Sequence, residues 1–147
     1  DPLLTTQQEH VEIVNAICQE FSNLPADCAL ILMGHGTSHY ANDVYAALDY
    51  RFKDLGFSNI HLATVEGYPT LENVTRMVKE QEAKKVILAP LMIVAGDHAR
   101  NDMSGDDEDS WKNQFRAAGY DVECRMKGLG EYPAIQDMLI RHVTEVC

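Results

Sequence analysis

Basic residues are scarce in this chain: 12 Lys and Arg stand against 23 Asp and Glu in 147 residues, a formal net charge of −11 at pH 7. That balance excludes a general binder of nucleic acid or of an anionic membrane surface, because the phosphate interaction would be repulsive. It is compatible with attracting a divalent cation, and equally with acidic helix surfaces that merely keep a domain solvated. Long apolar runs are missing too. The longest, residues 29–33 and 86–95, are strand-sized and too short for a membrane span, so no membrane association is expected. The four cysteines, Cys18, Cys28, Cys124 and Cys147, include no C-x-x-C pair. Buried free thiols fit this scatter better than a disulfide framework, which points to a reducing compartment and hence the cytoplasm. No signal peptide is evident, although a chain opening on Asp1 leaves earlier processing, and export of the parent, an open question.

Three familiar chemistries are also missing. No Gly-rich phosphate loop with Lys-Ser/Thr follows the first apolar run, so nucleotide binding lacks its anion cradle. No serine occupies a G-x-S-x-G elbow. The segment Gly34-His35-Gly36-Thr37 has glycine, not arginine, before its histidine, which removes the phosphate holder a histidine phosphatase would need.

What is present is an alternation of two periods. Val11, Val14, Ala16, Ile17 and Phe21 recur at helical spacing, and the pattern stops near Pro25. Residues 28–33 form a continuous apolar run, typical of a strand covered on both faces, closed by Gly34-His35-Gly36. Helical spacing returns over 41–55 (Val44, Ala47, Leu48, Phe52, Leu55). A second strand is expected over 59–65, and a helix over 70–82 with Leu71, Val74, Met77 and Val78 on one face. The third strand, over 85–94, is the most apolar. A helix over 109–118, a strand over 120–126 and a helix over 133–146 complete the chain. Alternating strands and helices imply parallel pairing with right-handed crossovers, hence one α/β domain with about four parallel strands flanked by helices. Residues 95–108 break the rhythm as an unusually long loop, rich in His, Arg, Asn and Asp, and loops of that length are commonly functional or disordered.

Ligands of open parallel sheets bind outside the carboxyl ends of the strands. After the first strand stands His35, after the second Glu66, and after the third His98. If the sheet order is two-one-three, these strands are neighbours ~4.8 Å apart, and their end residues can converge on one ion. Two imidazoles and a carboxylate suit a borderline divalent metal: Co, Fe, Ni or Zn. Each residue has a plainer reading as well. His35 can bond backbone at a strand end, Glu66 can cap the next helix or pair with a lysine, and His98 can be a solvated loop residue. His10, His61 and His142 fall away from that edge and read as structural or exposed. His39, four residues after His35, is open between a supporting contact, a substrate contact and an exposed cap.

At these residues the sequence resembles a known family. Met33-Gly-His-Gly-Thr37 with Ala41-Asn42, Val65-Glu66 with Tyr68-Pro69, the long run Pro90–Met103 that contains Gly96-Asp-His-Ala-Arg-Asn-Asp102, Asp109-Ser-Trp-Lys112, and Gly128-Leu-Gly-Glu131 with Pro133-Ala134 carry the likeness. Together they resemble the anaerobic cobalt chelatases, the sirohydrochlorin cobaltochelatases of the class II chelatase superfamily. The likeness runs from about Leu30 to the C-terminus.

The resemblance implies a chelatase-like (flavodoxin-like) three-layer domain and an enzyme that inserts Co(II) into sirohydrochlorin or a closely related tetrapyrrole, in anaerobic cobalamin biosynthesis. It further implies that residues 1–147 correspond to the C-terminal, metal-binding half of a two-domain protein. The N-terminal half would be a partner, as a separate chain or in the same polypeptide, and a homo-oligomer is compatible with this arrangement. The metal ligands, and with them the catalytic groups, would be His35, Glu66 and His98, holding cobalt(II) with Fe, Ni or Zn as substitutes. Ligands freed as the ion passes to the ring can take up the two pyrrole protons, His35 first, because its tether to the sheet is shortest. Arg100 is the leading candidate to bind a tetrapyrrole carboxylate, with Ser38 and Asn42 behind it. Rival readings are a metal or tetrapyrrole carrier without turnover, an iron-inserting chelatase, and an α/β domain whose histidines are incidental.

Overall fold

A computed structural model of the chain describes residues 4–93 and 95–146, with the backbone alone for residues 98, 99 and 146. Among the described residues, four strands alternate with helices. Strand β1 is Cys28–Gly34, β2 Ile60–Thr64, β3 Lys85–Pro90 and β4 Asp121–Cys124. Helices are α1 Gln7–Glu20, α2 Asp43–Asp54, α3 Leu71–Glu80, α4 Trp111–Ala117 and α5 Pro133–Val146. The sheet order is β2-β1-β3-β4 and all three pairings are parallel. The two-one-three arrangement therefore holds, in an α/β sandwich with helices on both faces.

The continuous apolar runs find their explanation in the pleat, which sends alternate side chains to opposite faces. Leu30 and Leu32 of β1 pack with Ile13, Ile17, Leu48, Phe52 and Ile135 on one side. Ala29, Ile31 and Met33 pack with Val74, Val78, Met103, Trp111 and Phe115 on the other. Helix starts are capped as the residue types demand: Thr6 forms a capping box with Glu9, Thr70 accepts from the N–H of Asn73, and Ser110 from that of Asn113.

Four expectations shift. The helix expected from residue 41 opens as a 3-10 turn, Tyr40–Asn42, before α2 begins. Met77 is 44% exposed, so the buried stripe of α3 is Val74 and Val78 with Leu71 beside it. Strand β3 ends at Pro90, short of the expected residue 94, itself outside the described residues. Beyond the Leu91 N–H, which still donates to the Met33 carbonyl at 2.7 Å, the chain turns from β1. It is then held from the other side, where the N–H groups of Leu129 and Gly130 donate to the carbonyls of Met92 and Ile93. Finally, the long loop after β3 is not irregular throughout. It winds a π-helical segment, His98–Met103, whose last residue is fully buried against the sheet.

The outer edge of β2 is covered by side chains. Lys53 donates to the Ile60 carbonyl and to Asp49 Oδ1, and buried His61 bonds Gln81 Oε1 through Nε2 at 2.9 Å. Cys18, Cys28 and Cys124 are free thiols, with Cys28 buried and the other two half-buried; Cys147 lies outside the described residues.

Candidate metal centre at the carboxyl edge of the sheet

His35 follows β1 directly and Glu66 follows β2 after one residue, and the parallel pairing of these strands runs on into their loops. The Val65 N–H donates to the Gly34 carbonyl at 3.0 Å and the Glu66 N–H to the His35 carbonyl at 2.9 Å. Register alone thus sets the two side chains beside each other. His35 Nδ1 lies 3.8 Å from Glu66 Oε2, with the side chains 49% and 59% exposed, so both can be reached from outside. His35 Nδ1 also lies 2.9 Å from the Gly36 carbonyl. Because a carbonyl can only accept, Nδ1 is the donor in that contact.

Glycines let these loops approach. Gly36 has φ +82°, and a Cβ there would stand 2.6 Å from the backbone nitrogen of Gly67. Thr64, buried at the end of β2, ties off the Glu66 loop: its hydroxyl donates to the Pro69 carbonyl and accepts from the Gly67 N–H, both at 3.0 Å. The Tyr68-Pro69 peptide bond is cis. Tyr45 of α2 supports the other loop. Its hydroxyl accepts from the Gly36 N–H at 3.2 Å, and its ring lies where a Gly34 Cβ would be, 2.2 Å from Cε1.

The sites read from sequence fare differently. His35 and Glu66 are brought together. His98 opens the π-helical segment on the β3 side of the same edge, and its side chain lies outside the described residues. Arg100 is exposed in that segment and makes no ion pair among the described residues. Ser38 is exposed on the loop after His35. Asn42 turns its amide inward, between the two loops. The cap of α3 is Thr70, not Glu66, and Glu66 pairs with His35 rather than with a lysine. His39 caps the Tyr40–Asn42 turn through Nδ1, which accepts from the Ala41 N–H at 3.2 Å. The three remaining histidines have structural partners: His10 the Leu4 carbonyl, His61 Gln81 and His142 Glu9. Burial holds the His61 imidazole below its usual pKa despite the Gln81 bond.

Thr64 and Tyr45 were invisible to a search for metal-binding residue types. The signal that could have found them is the cluster Gly34, Gly36 and Gly67, since close backbone approach implies side chains filling the space on the far side.

The family model described as Cobalt chelatase (CbiK) matches residues 1–147. The chain belongs to this family. A sirohydrochlorin cobaltochelatase of Salmonella typhimurium is 39% identical over 142 residues, which is 97% of this chain and 53% of that protein. Sirohydrochlorin cobaltochelatase CbiKC of Nitratidesulfovibrio vulgaris is 35% identical over 127 residues, 84% of this chain and 45% of its own length. The chain therefore spans about half the length of the curated relatives it matches.

Proposed function

We propose that His35, Glu66 and His98 hold a cobalt(II) ion as substrate and pass it to a tetrapyrrole of the sirohydrochlorin type. The observation that carries this reading is the apposition of His35 and Glu66 at the ends of adjacent parallel strands, where such sheets bind ligands. The family and the names of the relatives support cobalt and sirohydrochlorin as the partners in the exchange. Imidazole and carboxylate can replace the water shell of the ion one ligand at a time. Insertion exchanges one Co2+ for two pyrrole protons. His35, released as the ion leaves, takes one, and Glu66 or His98 the other, before both reach solvent. Exposed Arg100 would bind a side-chain carboxylate of the macrocycle, and exposed Tyr40 and Tyr68 offer apolar area for its face.

The domain corresponds, on this reading, to the C-terminal half of a two-domain chelatase, and the N-terminal half supplies the facing wall of the cleft. The alternative is a metal or tetrapyrrole carrier, in which the same residues bind without turnover. Iron, nickel or zinc would fit the same ligands. Cobalt insertion into sirohydrochlorin, followed by absorbance, tests the proposal in the chain alone and joined with an N-terminal half. Turnover that collapses in His35→Ala supports it, turnover that survives removes His35 from the reaction, and cobalt binding without turnover leaves the carrier reading.

A further inference from the structure

Loops leaving neighbouring strands can drift apart unless something ties them, and a centre built from one ligand on each tolerates little drift. Backbone pairing between β1 and β2 reaches only to the His35 carbonyl and the Glu66 N–H. Beyond that point one side chain spans both loops. Asn42 Oδ1 accepts from the Thr37 N–H at 3.0 Å, and Asn42 Nδ2 donates to the Tyr68 carbonyl at 2.5 Å. Thr37 stands two residues after His35 and Tyr68 two residues after Glu66, so the same amide grips each loop at the same offset from its proposed ligand.

The surroundings are shaped to this amide. A Cβ on Gly67 would fall 2.3 Å from Asn42 Oδ1 and 3.0 Å from the Thr37 nitrogen, so any larger residue there displaces the bridge. Asn42 is itself set in place by the 3-10 turn, where its N–H donates to the His39 carbonyl at 3.0 Å and His39 Nδ1 caps Ala41. The task requires an acceptor and a donor side by side on a short stem. Asp lacks the donor and Ala lacks both.

We infer that Asn42 is a positioning residue that fixes the separation of His35 and Glu66 without touching the metal. The inference rests on reading those two residues as ligands. It gives Asn42 a task beyond holding a tetrapyrrole carboxylate, since Oδ1 and one N–H of its amide are engaged with backbone.

The test is direct titration of the chain with cobalt(II), scored by competition with a chromophoric chelator and by the visible absorption of the bound ion. Amide hydrogen exchange of the metal-free protein accompanies it. Asn42→Ala is expected to weaken cobalt binding about 10–100-fold, to alter the absorption of the bound ion, and to speed exchange at Thr37 before any metal is added. Core amides such as Ile31 keep their protection. Gly67→Ala should do the same, and the double variant should be no worse than the poorer single one, because both break one bridge. Asn42→Asp keeps the acceptor and so keeps the Thr37 protection. Wild-type affinity and absorption in Asn42→Ala, with the ion lost in His35→Ala, overturn the inference. Unchanged exchange at Thr37, or lost protection at Ile31, overturns it as well. A wild-type chain that takes up no cobalt overturns the ligand reading and this inference with it, a result distinct from a variant that binds like wild type.

Discussion

The two ends of the sheet treat charge in opposite ways. At the amino end a cavity of about 440 Å3 opens between α1 and the first residues of β1, β3 and β4, lined by Phe21, Cys28, Lys85, Ile87, Glu123 and Arg125. Three of its charges meet one another: Lys85 and Arg125 both pair with Glu123, at 2.9 and 3.0 Å, and the Arg125 guanidinium lies over the Phe21 ring. At the carboxyl end the groups are exposed and presented outward, with His35 against Glu66 and Arg100 unpaired among the described residues. The amino end pairs these groups among themselves, while the carboxyl end presents His35 and Glu66 outward. The side chains at the carboxyl ends of the strands are the guide to the chemistry of such a sheet.

The comparison breaks most sharply on metal binding. His35→Ala is expected to abolish measurable cobalt uptake in calorimetric titration, whereas Lys85→Met at the opposite end leaves it unchanged. Equal loss in both variants would dissolve the distinction. Next in size is the core that joins the two ends. Ile31→Ala, fully buried beneath α3 and α4, should cost about 2–5 kcal/mol in urea unfolding. A loss below 1 kcal/mol would mean that β1 is not the spine of the domain.

A smaller effect is expected where a buried charge belongs to the fold rather than to the site. Burial pushes the Glu9 carboxyl up, but bonds from His142 and from the Thr5 and Thr6 N–H groups outweigh it and hold the group below its usual pKa. Its contribution is complete above the unfolded value of about 4.5 and is lost as pH falls through the lower folded value. Glu9→Gln should therefore cost about 1–3 kcal/mol at neutral pH and flatten the acid limb of stability measured from pH 7 to pH 2. The smallest effect belongs to the amino-end ion pairs: Glu123→Gln should change stability by about 1 kcal/mol or less, since the group is well exposed.

Much of this architecture is legible in sequence because its parallel strands are buried on both faces and so read as unbroken apolar runs. Residues 28–33, against the observed Cys28–Gly34, are the clearest case. Strand order is not written in the residues: two-one-three enters only as a condition, which the observed β2-β1-β3-β4 order meets. What escaped has a common physical cause. Met77 shares the helical phase of Val74 and Val78 but has no facing layer to bury it. Periodicity cannot foresee that residues 98–103 wind a π-helical turn around buried Met103, because one hydrophobe in a polar loop carries no period. Asn42 was legible as a polar residue near the site, yet its partners are backbone groups, which no residue type announces.

Lys53 has a consequence beyond the domain. An outermost strand offers a row of unfilled backbone carbonyls, the template on which identical chains stack into fibrils. By donating to the Ile60 carbonyl while bonding Asp49, the ammonium occupies the first rung of that ladder on β2, and the buried His61–Gln81 pair fills the ground beside it. At high concentration, polymer is therefore expected to start less readily at this point of the β2 margin. Lys53→Ala would uncover that rung, and faster fibril growth seen with an amyloid dye would show how much of the protein's colloidal behaviour depends on one lysine.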